Sequence, residues 1–301
     1  GFSLYLDANG TLYSSGANTY GQLGDGSVID RFSFAPISTG VKEVVAGGGH
    51  SLFVKNDGSL WAIGNNAYGQ LGDGTFINRV TPVPVISSGV SFVSAGENHS
   101  HFIKTDGSLW SMGSNEFGQL GDSSLTNRTS PVQIISAGVS FVSGGSSHTL
   151  ALKVDGSLWA MGSNASGAFG DGTTIDSITP RFVANDVFTV SAGRDYSLIV
   201  NADGSLQSVG ENAFGQLGDG GTNDRFSLHQ VVASGVTTVS AGLNGSSFFF
   251  KANGSLWTMG NNQSGQLGDG STTNRTVPVQ IELVDVVLVS GGDSHSLYAK
   301  R

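Results

Sequence analysis

The stretch GQLGDGSVIDR, residues Gly21–Arg31, returns at nearly constant intervals and decides how the rest of the chain is interpreted. Further copies that keep the Gly-Gln-Leu-Gly-Asp core and the closing Arg start at Gly69, Gly118, Gly215 and Gly265. A decayed copy, GAFGDGTTIDS, starts at Gly167, and the six starts are 48, 49, 49, 48 and 50 residues apart. A repeat of this length overrides the expectation of one or two ordinary domains for 301 residues and predicts a single array of similar units.

Composition limits the classes of function open to the chain. The net charge is −9 and no run of Lys or Arg occurs, which argues against a nucleic-acid surface because phosphate binding needs clustered cations. The absence of cysteine excludes disulfides, thiolate chemistry and cysteine zinc sites. No stretch approaches the roughly 18 apolar residues of a membrane span. Few lysines and abundant Ser, Thr, Asn and Gly favour a secreted or cell-surface location, with the cytoplasm as the alternative.

Aligned repeats share four short segments. They are typified by VSFVSAG from Val90, HSHFIK from His99, GSLWSMG from Gly107 and the run Pro131–Ile135. Their richness in Val, Ile, Phe and Trp predicts strands. An Asp-Gly or Asn-Gly pair, such as Asp106-Gly107, separates the second and third segments and supplies the positive-φ residues of a tight antiparallel hairpin. Pro occurs only in the fourth segment, as expected of an edge strand.

These segments predict an all-β fold, a β-propeller of four-stranded antiparallel blades. The second segment occurs at both ends of the chain, as Phe2–Asp7 and His295–Lys300, so we expect six complete repeats plus a partial one, with six blades favoured and seven possible. The single domain would cover residues 1–301, with units at about 1–40, 41–89, 90–138, 139–186, 187–235 and 236–285, and with 286–301 completing or closing the ring. The chain begins with Gly1 inside a repeat, so we also expect a processed product or an excised segment.

The aligned segments resemble those of the regulator-of-chromosome-condensation (alpha-tubulin suppressor-like) repeat family, and the short uniform units look like those of its bacterial members. The resemblance rests on the Gly-x-x-His-Ser/Thr step (Gly47–Ser51), the Asp-Gly-Ser-Leu turn, the Gly-x-Asn-x-x-Gly-Gln-Leu-Gly run (Gly64–Gly72) and a trailing Pro-Val pair. It covers essentially the whole chain and implies a propeller. Relatives include exchange factors for small GTPases, ubiquitin-ligase scaffolds and a secreted bacterial inhibitor of β-lactamase.

The aspartate of each GQLGDG loop invites a calcium interpretation, but Ca²⁺ needs about six to eight oxygens from several residues. Each loop offers one Asp before a turn glycine, so we expect no metal site. In five loops an Arg follows the Asp by six residues, and Ser177 takes its place in the decayed copy. The spacing predicts a structural ion pair inside the loop, with a ring of Arg that binds an anionic partner as the alternative. The predicted pairs are Asp25 with Arg31, Asp73 with Arg79, Asp122 with Arg128, Asp219 with Arg225, and Asp269 with Arg275.

The histidines at one strand-start position are interpreted as structural. His50, His99, His148 and His295 share the position with Phe2, Tyr196 and Ser246. A catalytic or metal-binding histidine is not expected to be copied onto several repeats, so we expect each to pack beside its neighbour and to hydrogen-bond backbone. No nucleophile elbow, dinucleotide fingerprint, HExxH motif or carboxylate dyad occurs, so the sequence predicts no catalytic residue, no cofactor and no enzyme.

The tips between the first and second strands differ from repeat to repeat. Because loops carry function on a rigid scaffold, we expect a binding face there, although drift on a solvated surface explains the variation equally well. The candidate residues are Glu97, Asn98, Ser146, Ser147, Arg194, Asp195, Leu243, Asn244, Asp293 and Ser294.

The sequence thus favours a non-enzymatic binding or scaffold propeller, secreted or at the cell surface, whose partner is a protein or a glycan and not a nucleic acid. The alternative is a guanine-nucleotide exchange factor or another regulator of a small GTPase. The chain is acidic and lacks the basic tail of the family's best-known member, which counts against exchange combined with chromatin binding.

Overall fold

The computed structural model describes residues 1–281, 286–292 and 294–300, and the regular structure of these residues consists of strands. The strands fall into four groups according to their place in the repeat. First strands are β4 (Val41–Ala46), β8 (Val90–Ala95), β12 (Val139–Gly144), β16 (Val187–Ala192), β20 (Val236–Ala241) and β24 (Val286–Gly291). Second strands are β1 (Phe2–Leu6), β5 (His50–Lys55), β9 (His99–Lys104), β13 (His148–Lys153), β17 (Tyr196–Asn201), β21 (Ser246–Lys251) and β25 (Ser296–Lys300).

Third and fourth strands follow the Asp-Gly turn and the GQLGDG loop respectively. Third strands are β2 (Leu12–Gly16), β6 (Leu60–Gly64), β10 (Leu109–Gly113), β14 (Leu158–Gly162), β18 (Leu206–Gly210) and β22 (Leu256–Gly260). Fourth strands are β3 (Arg31–Ser38), β7 (Arg79–Ile86), β11 (Arg128–Ile135), β15 (Ser177–Ala184), β19 (Arg225–Val232) and β23 (Arg275–Ile281). Five fourth strands therefore begin at the loop arginine and β15 begins at Ser177, which replaces it, so these strands start before the segments that the sequence predicted.

Two compact units make up the chain, Gly1–Gly144 (unit 1) and Gly145–Arg301 (unit 2). Unit 1 contains a three-stranded sheet, β1-β2-β3, and two four-stranded sheets, β4-β5-β6-β7 and β8-β9-β10-β11. Unit 2 contains the consecutive antiparallel strands β13, β14 and β15, two four-stranded sheets, β16-β17-β18-β19 and β20-β21-β22-β23, and the pair β24-β25. Each four-stranded sheet comes from one repeat and places its fourth strand at the edge, which confirms the all-β prediction. The boundaries of the individual repeats and the number of blades, both proposed above, stay predictions.

Strand register gives each sheet two distinct ends. In the sheet β4-β5-β6-β7, His50 pairs with Gly64 and Gly64 with Arg79 at one end, while Val54 pairs with Leu60 at the other. The tip between the first two strands and the long GQLGDG loop both leave from the first end, which we call the loop end. The Asp-Gly turn lies at the opposite end, the turn end.

Apolar side chains join neighbouring sheets within each unit. In unit 1, Leu52 and Leu60 of one repeat belong to the same buried cluster as Val93, Phe102 and Met112 of the next. Each is at most 3% exposed, and full burial of such a side chain contributes roughly 1.5–3 kcal/mol. Unit 2 repeats the arrangement, with Leu198 and Leu206 clustered with Phe249 and Met259.

The tryptophans of the third strands lie half-buried, and the ring of Trp61 is stacked on an aromatic neighbour. The ring of Trp61 stacks on Phe53 with a centroid separation of 6.4 Å, and Lys55 Nζ lies 4.6 Å from its centroid. Its indole nitrogen donates to Ser59 Oγ at 2.9 Å. Among the residues described, no helix has the length and hydropathy that a membrane span requires.

Candidate functional site at the loop end

Each long loop is folded around a fully buried asparagine, the Asn of the Gly-x-Asn-x-x-Gly-Gln-Leu-Gly run, for which the sequence predicted no role. In the second repeat Asn66 Nδ2 donates to Asp73 Oδ1 at 3.0 Å and to the carbonyls of Thr75 and Ile77 at 3.0 and 3.2 Å. Its Oδ1 accepts from the backbone N–H of Leu71 at 3.0 Å. The corresponding residues, all 0% exposed, are Asn18, Asn115, Asn164, Asn212 and Asn262. Since buried polar groups must be bonded, this amide fixes the loop backbone.

Replacing Asn66 by Ala should remove these bonds and leave buried backbone groups unpaired. We expect a loss of about 3 kcal/mol in the free energy of unfolding, since each buried unsatisfied group costs ~1–3 kcal/mol. Urea unfolding measures the loss, and hydrogen exchange at the Leu71 amide locates it. The adjacent Asn65→Ala, which removes one bond to the Ala67 amide at a half-exposed position, is the control and should cost less than about 1 kcal/mol. Equal losses for both variants would contradict the central role of Asn66.

The predicted Asp and Arg partners are in contact in all five loops. Arg Nε lies 2.6 Å from Asp Oδ2 in the pairs Arg128 with Asp122, Arg225 with Asp219, and Arg275 with Asp269. Arg79 makes the same contact with Asp73 at 2.6 Å, and Arg31 Nη1 reaches Asp25 at 3.1 Å. Each arginine is thus engaged within its own loop, which is the arrangement expected of a structural pair rather than of an anion-binding ring.

Hydrogen bonds lower the pKa of these carboxylates more than burial raises it. Burial alone would raise the pKa of Asp269, but hydrogen bonds from Arg275 and Ser271 lower it to about 2. The pKa of Asp73 is likewise lowered, against the effect of burial, by hydrogen bonds from Thr75, Arg79 and Asn66. The loop therefore holds its aspartate ionised and fully bonded.

The decayed fourth loop forms its ion pair with an arginine that sequence reasoning missed. Ser177 occupies the expected position, yet Arg181 Nε lies 3.0 Å from Asp171 Oδ2. The contact is an ion pair without good hydrogen-bond direction, since Asp171 Oδ2 has no bonded partner among the residues described. Arg181 lies further along the fourth strand than Ser177, which is six residues after Asp171, so the six-residue spacing did not predict it. Asn164 still donates to the Thr173 carbonyl at 3.0 Å and accepts from the Phe169 N–H at 2.9 Å.

A double-mutant cycle tests whether the ion pair contributes to stability. Arg79→Ala should lower the free energy of unfolding by ~1 kcal/mol, because Arg79 is one-third exposed and solvent weakens the pair. In an Asp73→Ala background the same substitution should cost almost nothing. Additive losses in urea unfolding would mean that Asp73 and Arg79 do not interact.

Structure places the candidate tip residues at the loop end and ties their backbones to the next tip. The Gly48 N–H donates to the Glu97 carbonyl at 3.1 Å, and the Ser146 N–H donates to the Arg194 carbonyl at 3.1 Å. Glu97, Arg194 and Ser294 are exposed, whereas the other described candidates are half-buried: Asn98, Ser146, Ser147, Asp195, Leu243 and Asn244. Asp293 lies outside the described residues. The tips are thus held by backbone contacts while selected side chains face solvent.

The strand-start histidine links one repeat to the next. His50 Nε2 lies 2.9 Å from Ser100 Oγ, and Ser100 donates its own proton to the Gln70 carbonyl at 2.7 Å. The serine therefore accepts from His50, which fixes the proton on Nε2. The predicted backbone partner is thus wrong for His50. His148 contacts Ser197 at 3.1 Å in the same way and also hydrogen-bonds the backbone of Arg194.

Burial keeps these imidazoles neutral. It lowers the pKa of His50 and of His148 to about 4, and that of His101 to about 3. In the next repeat Tyr196 replaces the histidine, and its hydroxyl donates to the Ser246 carbonyl at 2.7 Å. The residue at this strand-start position therefore joins successive repeats whether it is a histidine or a tyrosine.

Acid should weaken the fold through these histidines. Their pKa rises from about 4 in the folded chain to the ordinary 6.5 on unfolding, so the unfolded state binds more protons between these values. Stability is full above pH 6.5 and falls as the pH drops towards 4, by as much as about 3 kcal/mol per histidine. Urea unfolding at pH 7, 5.5 and 4.5 should show a shallower fall for His50→Gln than for the unaltered chain. An identical pH dependence would contradict the assignment.

Sequence reasoning also missed a set of apolar side chains on the long loops. Phe76 and Ile77 lie shortly after the last glycine of GQLGDG, and both side chains are exposed rather than packed into a core. Exposed apolar residues recur at the same two positions in the first, third and fourth loops: Val28, Ile29, Leu125 and Ile175. The fifth and sixth loops carry Thr or Asn at these positions, and this could have shown from the sequence that the loop does not need apolar side chains there.

Repeated four-stranded antiparallel sheets, each with a long loop between its third and fourth strands, are typical of β-propellers. The profile described as the regulator of chromosome condensation (RCC1) repeat matches residues 9–54, 57–103, 106–152, 155–200 and 253–299. A second profile of the same description matches 41–70, 90–119 and 139–168. The chain therefore belongs to the RCC1 repeat family.

Solved structures agree with this assignment. Human WBSCR16 is 22% identical, with a TM-score of 0.89 over 100% of this chain and 85% of that chain. Prp20p from Saccharomyces cerevisiae, whose binding to Gsp1p and histones was studied with its structure, is 21% identical, with a TM-score of 0.85 over 99% of this chain and 80% of that one. At these identities the likeness concerns the fold. A search of curated protein sequences found no significant match.

Proposed function

We propose that this chain is a non-enzymatic binding or scaffold propeller that recognises a protein or glycan partner through its loop end. One observation carries the proposal. In five of the six long loops the repeated Asn and Arg both bond the repeated Asp, while the side chains that face solvent differ between repeats. A surface that combines a fixed backbone with variable exposed side chains is suited to specific recognition.

A non-catalytic role is consistent with the chemistry of the ionisable groups. His50 and His148 are fully buried and bonded to serines of the following repeat, so neither is placed to exchange protons with a substrate. The loop aspartates are held by arginine and asparagine in the same way. In the described part of the chain, no group of three or more His, Asp or Glu could hold a metal ion.

An extracellular or cell-surface setting, in a bacterium, is part of the same proposal. The location is supported by the composition, with few lysines and abundant Ser, Thr, Asn and Gly, and the bacterial origin by the short uniform repeats. The cytoplasm is the alternative setting, and regulation of a small GTPase is the alternative function. That alternative draws only on the fold shared with Prp20p.

Recognition at the loop end can be tested by screening the purified chain against arrays of extracellular proteins and of glycans. A ligand should bind the unaltered chain and bind at least tenfold more weakly to one of two single variants, Glu97→Ser in unit 1 or Arg194→Ser in unit 2. Serine is compatible with the fold at this tip position, because Ser146 occupies it in another repeat. The turn-end substitution Thr105→Ala, which introduces the residue that the chain itself carries at Ala202, is the matched control and should not change affinity. Fractionation of cells that express the full gene tests the location.

Three results would contradict the proposal. Accelerated nucleotide release from a small GTPase by catalytic amounts of the chain would favour the exchange-factor alternative. Turnover of a substrate in a panel of glycosides would show an enzyme. Ligand binding that is weakened by Thr105→Ala, and by neither Glu97→Ser nor Arg194→Ser, would place recognition at the turn end.

A further inference from the structure

Unit 1 displays a set of exposed apolar side chains on its three long loops. Val28 and Ile29 are 57% and 73% exposed, Phe76 and Ile77 are 56% and 62% exposed, and Leu125 is 58% exposed. We call these five residues the apolar loop patch. Exposed apolar residues scattered singly need no explanation, but five at equivalent places in three successive repeats form a group.

The fold does not require apolar residues at these positions. In the sixth repeat Thr272 and Thr273 occupy them, and Asn262 Nδ2 reaches the Thr273 carbonyl at 3.1 Å. In the second repeat Asn66 Nδ2 reaches the Ile77 carbonyl at 3.2 Å. The loop thus uses only the backbone here, so the apolar side chains are available for another purpose.

Backbone contacts hold the three loops in a continuous series. The Gly26 N–H donates to the Val80 carbonyl at 2.9 Å, and the Gly74 N–H donates to the Thr129 carbonyl at 2.8 Å. Val80 and Thr129 follow the apolar positions of their own repeats by only a few residues. Each loop therefore lies against the next, and the apolar side chains are displayed from a pre-organised backbone, which reduces the entropy lost when a partner binds.

The loop end of unit 1, all of which the structure describes, has an excess of negative charge. Its three arginines are each paired with the aspartate of their own loop. Asp30, Glu97 and Glu116 add three exposed carboxylates. The lysines of unit 1 lie at the turn end: Lys42 beside Val90, Lys55 at the end of β5, and Lys104 at the end of β9.

We propose that the apolar loop patch and the carboxylates at the same loop end dock a basic, amphipathic polypeptide segment of a partner protein. Aliphatic side chains such as Ile29, Ile77 and Leu125 match apolar side chains of a peptide, whereas sugars stack on flat aromatic faces. The carboxylates of the loop end attract and orient Lys and Arg of that segment. This inference rests on the proposed function and narrows its partner class from protein or glycan to a basic protein segment.

The test uses a displayed library of random 16-residue peptides selected on the purified chain. Selection should enrich peptides that combine apolar residues with Lys or Arg, and the affinity of the best peptide should fall as salt rises. A variant with Val28→Thr, Ile29→Thr, Phe76→Thr, Ile77→Thr and Leu125→Thr copies the sixth repeat and should bind that peptide at least tenfold more weakly. Val154→Thr, which replaces an exposed valine at the turn end by the residue found at Thr105, is the matched control and should leave affinity unchanged.

The charge contribution has its own variant. Asp30→Asn copies Asn78 and keeps the hydrogen bond to the loop backbone, and Glu116→Ala copies Ala67. Together they should weaken binding of the basic peptide several-fold and reduce its salt dependence, while the unfolding transition stays in place.

Several outcomes would overturn the inference. Enriched peptides that are acidic, or that bind the threonine variant equally well, would show that this patch does not select a basic segment. Sedimentation that detects dimers lost in the threonine variant would identify a second copy of the chain as the occupant. Loop-end binding of a glycan with no peptide enriched would reject this inference and leave the broader proposed function intact. Failure of the broader proposal would appear instead as enriched peptides whose binding depends on Val154.

Discussion

The amide of the buried asparagine in each long loop bonds both the loop that surrounds it and the aspartate beside it. Because the side chain is shielded from water, any loop conformation that left it unbonded would be costly, so the backbone from the third strand to the fourth has one favourable path. The aspartate held by Asn66 is in turn positioned for Arg79 at the start of the fourth strand. Glycines at positive φ, such as Gly72, make the close turns of that path accessible.

Regular features of the repeat were predictable because they recur. The four strands, the Asp-Gly hairpin and the contact between residues six apart follow from patterns that six copies display together. Features that a single copy supplies, or that depend on packing between repeats or on the path of a loop, were not. Arg181 reaches Asp171 from the fourth strand, at a spacing no other repeat uses. The serine that accepts from His50 is fifty residues away in sequence, so only the packing of neighbouring repeats reveals it. Exposure of Phe76 and Ile77 depends on which way the loop turns, which hydrophobic periodicity cannot show.

Comparison between repeats also separates the residues that make the fold from those free to serve recognition. Positions equivalent to Asn66 are filled by asparagine in all six loops, and each is buried. Positions equivalent to Phe76 and Ile77 vary from Phe and Ile to Thr and Asn while the same backbone bonds persist. A residue taken from the equivalent position of another repeat is therefore compatible with the loop, and such a residue can serve as a control substitution.

Each long loop is completed by contacts with the repeat that follows it. Ser100 donates to the Gln70 carbonyl thirty residues before it, and Ser197 donates to the Ala168 carbonyl in the same manner. A loop thus receives its last hydrogen bonds from the repeat that follows. During synthesis on the ribosome, the most recently completed loop always awaits a strand that has yet to emerge. Folding of such a nearest-neighbour array advances one repeat behind translation, with the amino-terminal loops settled first.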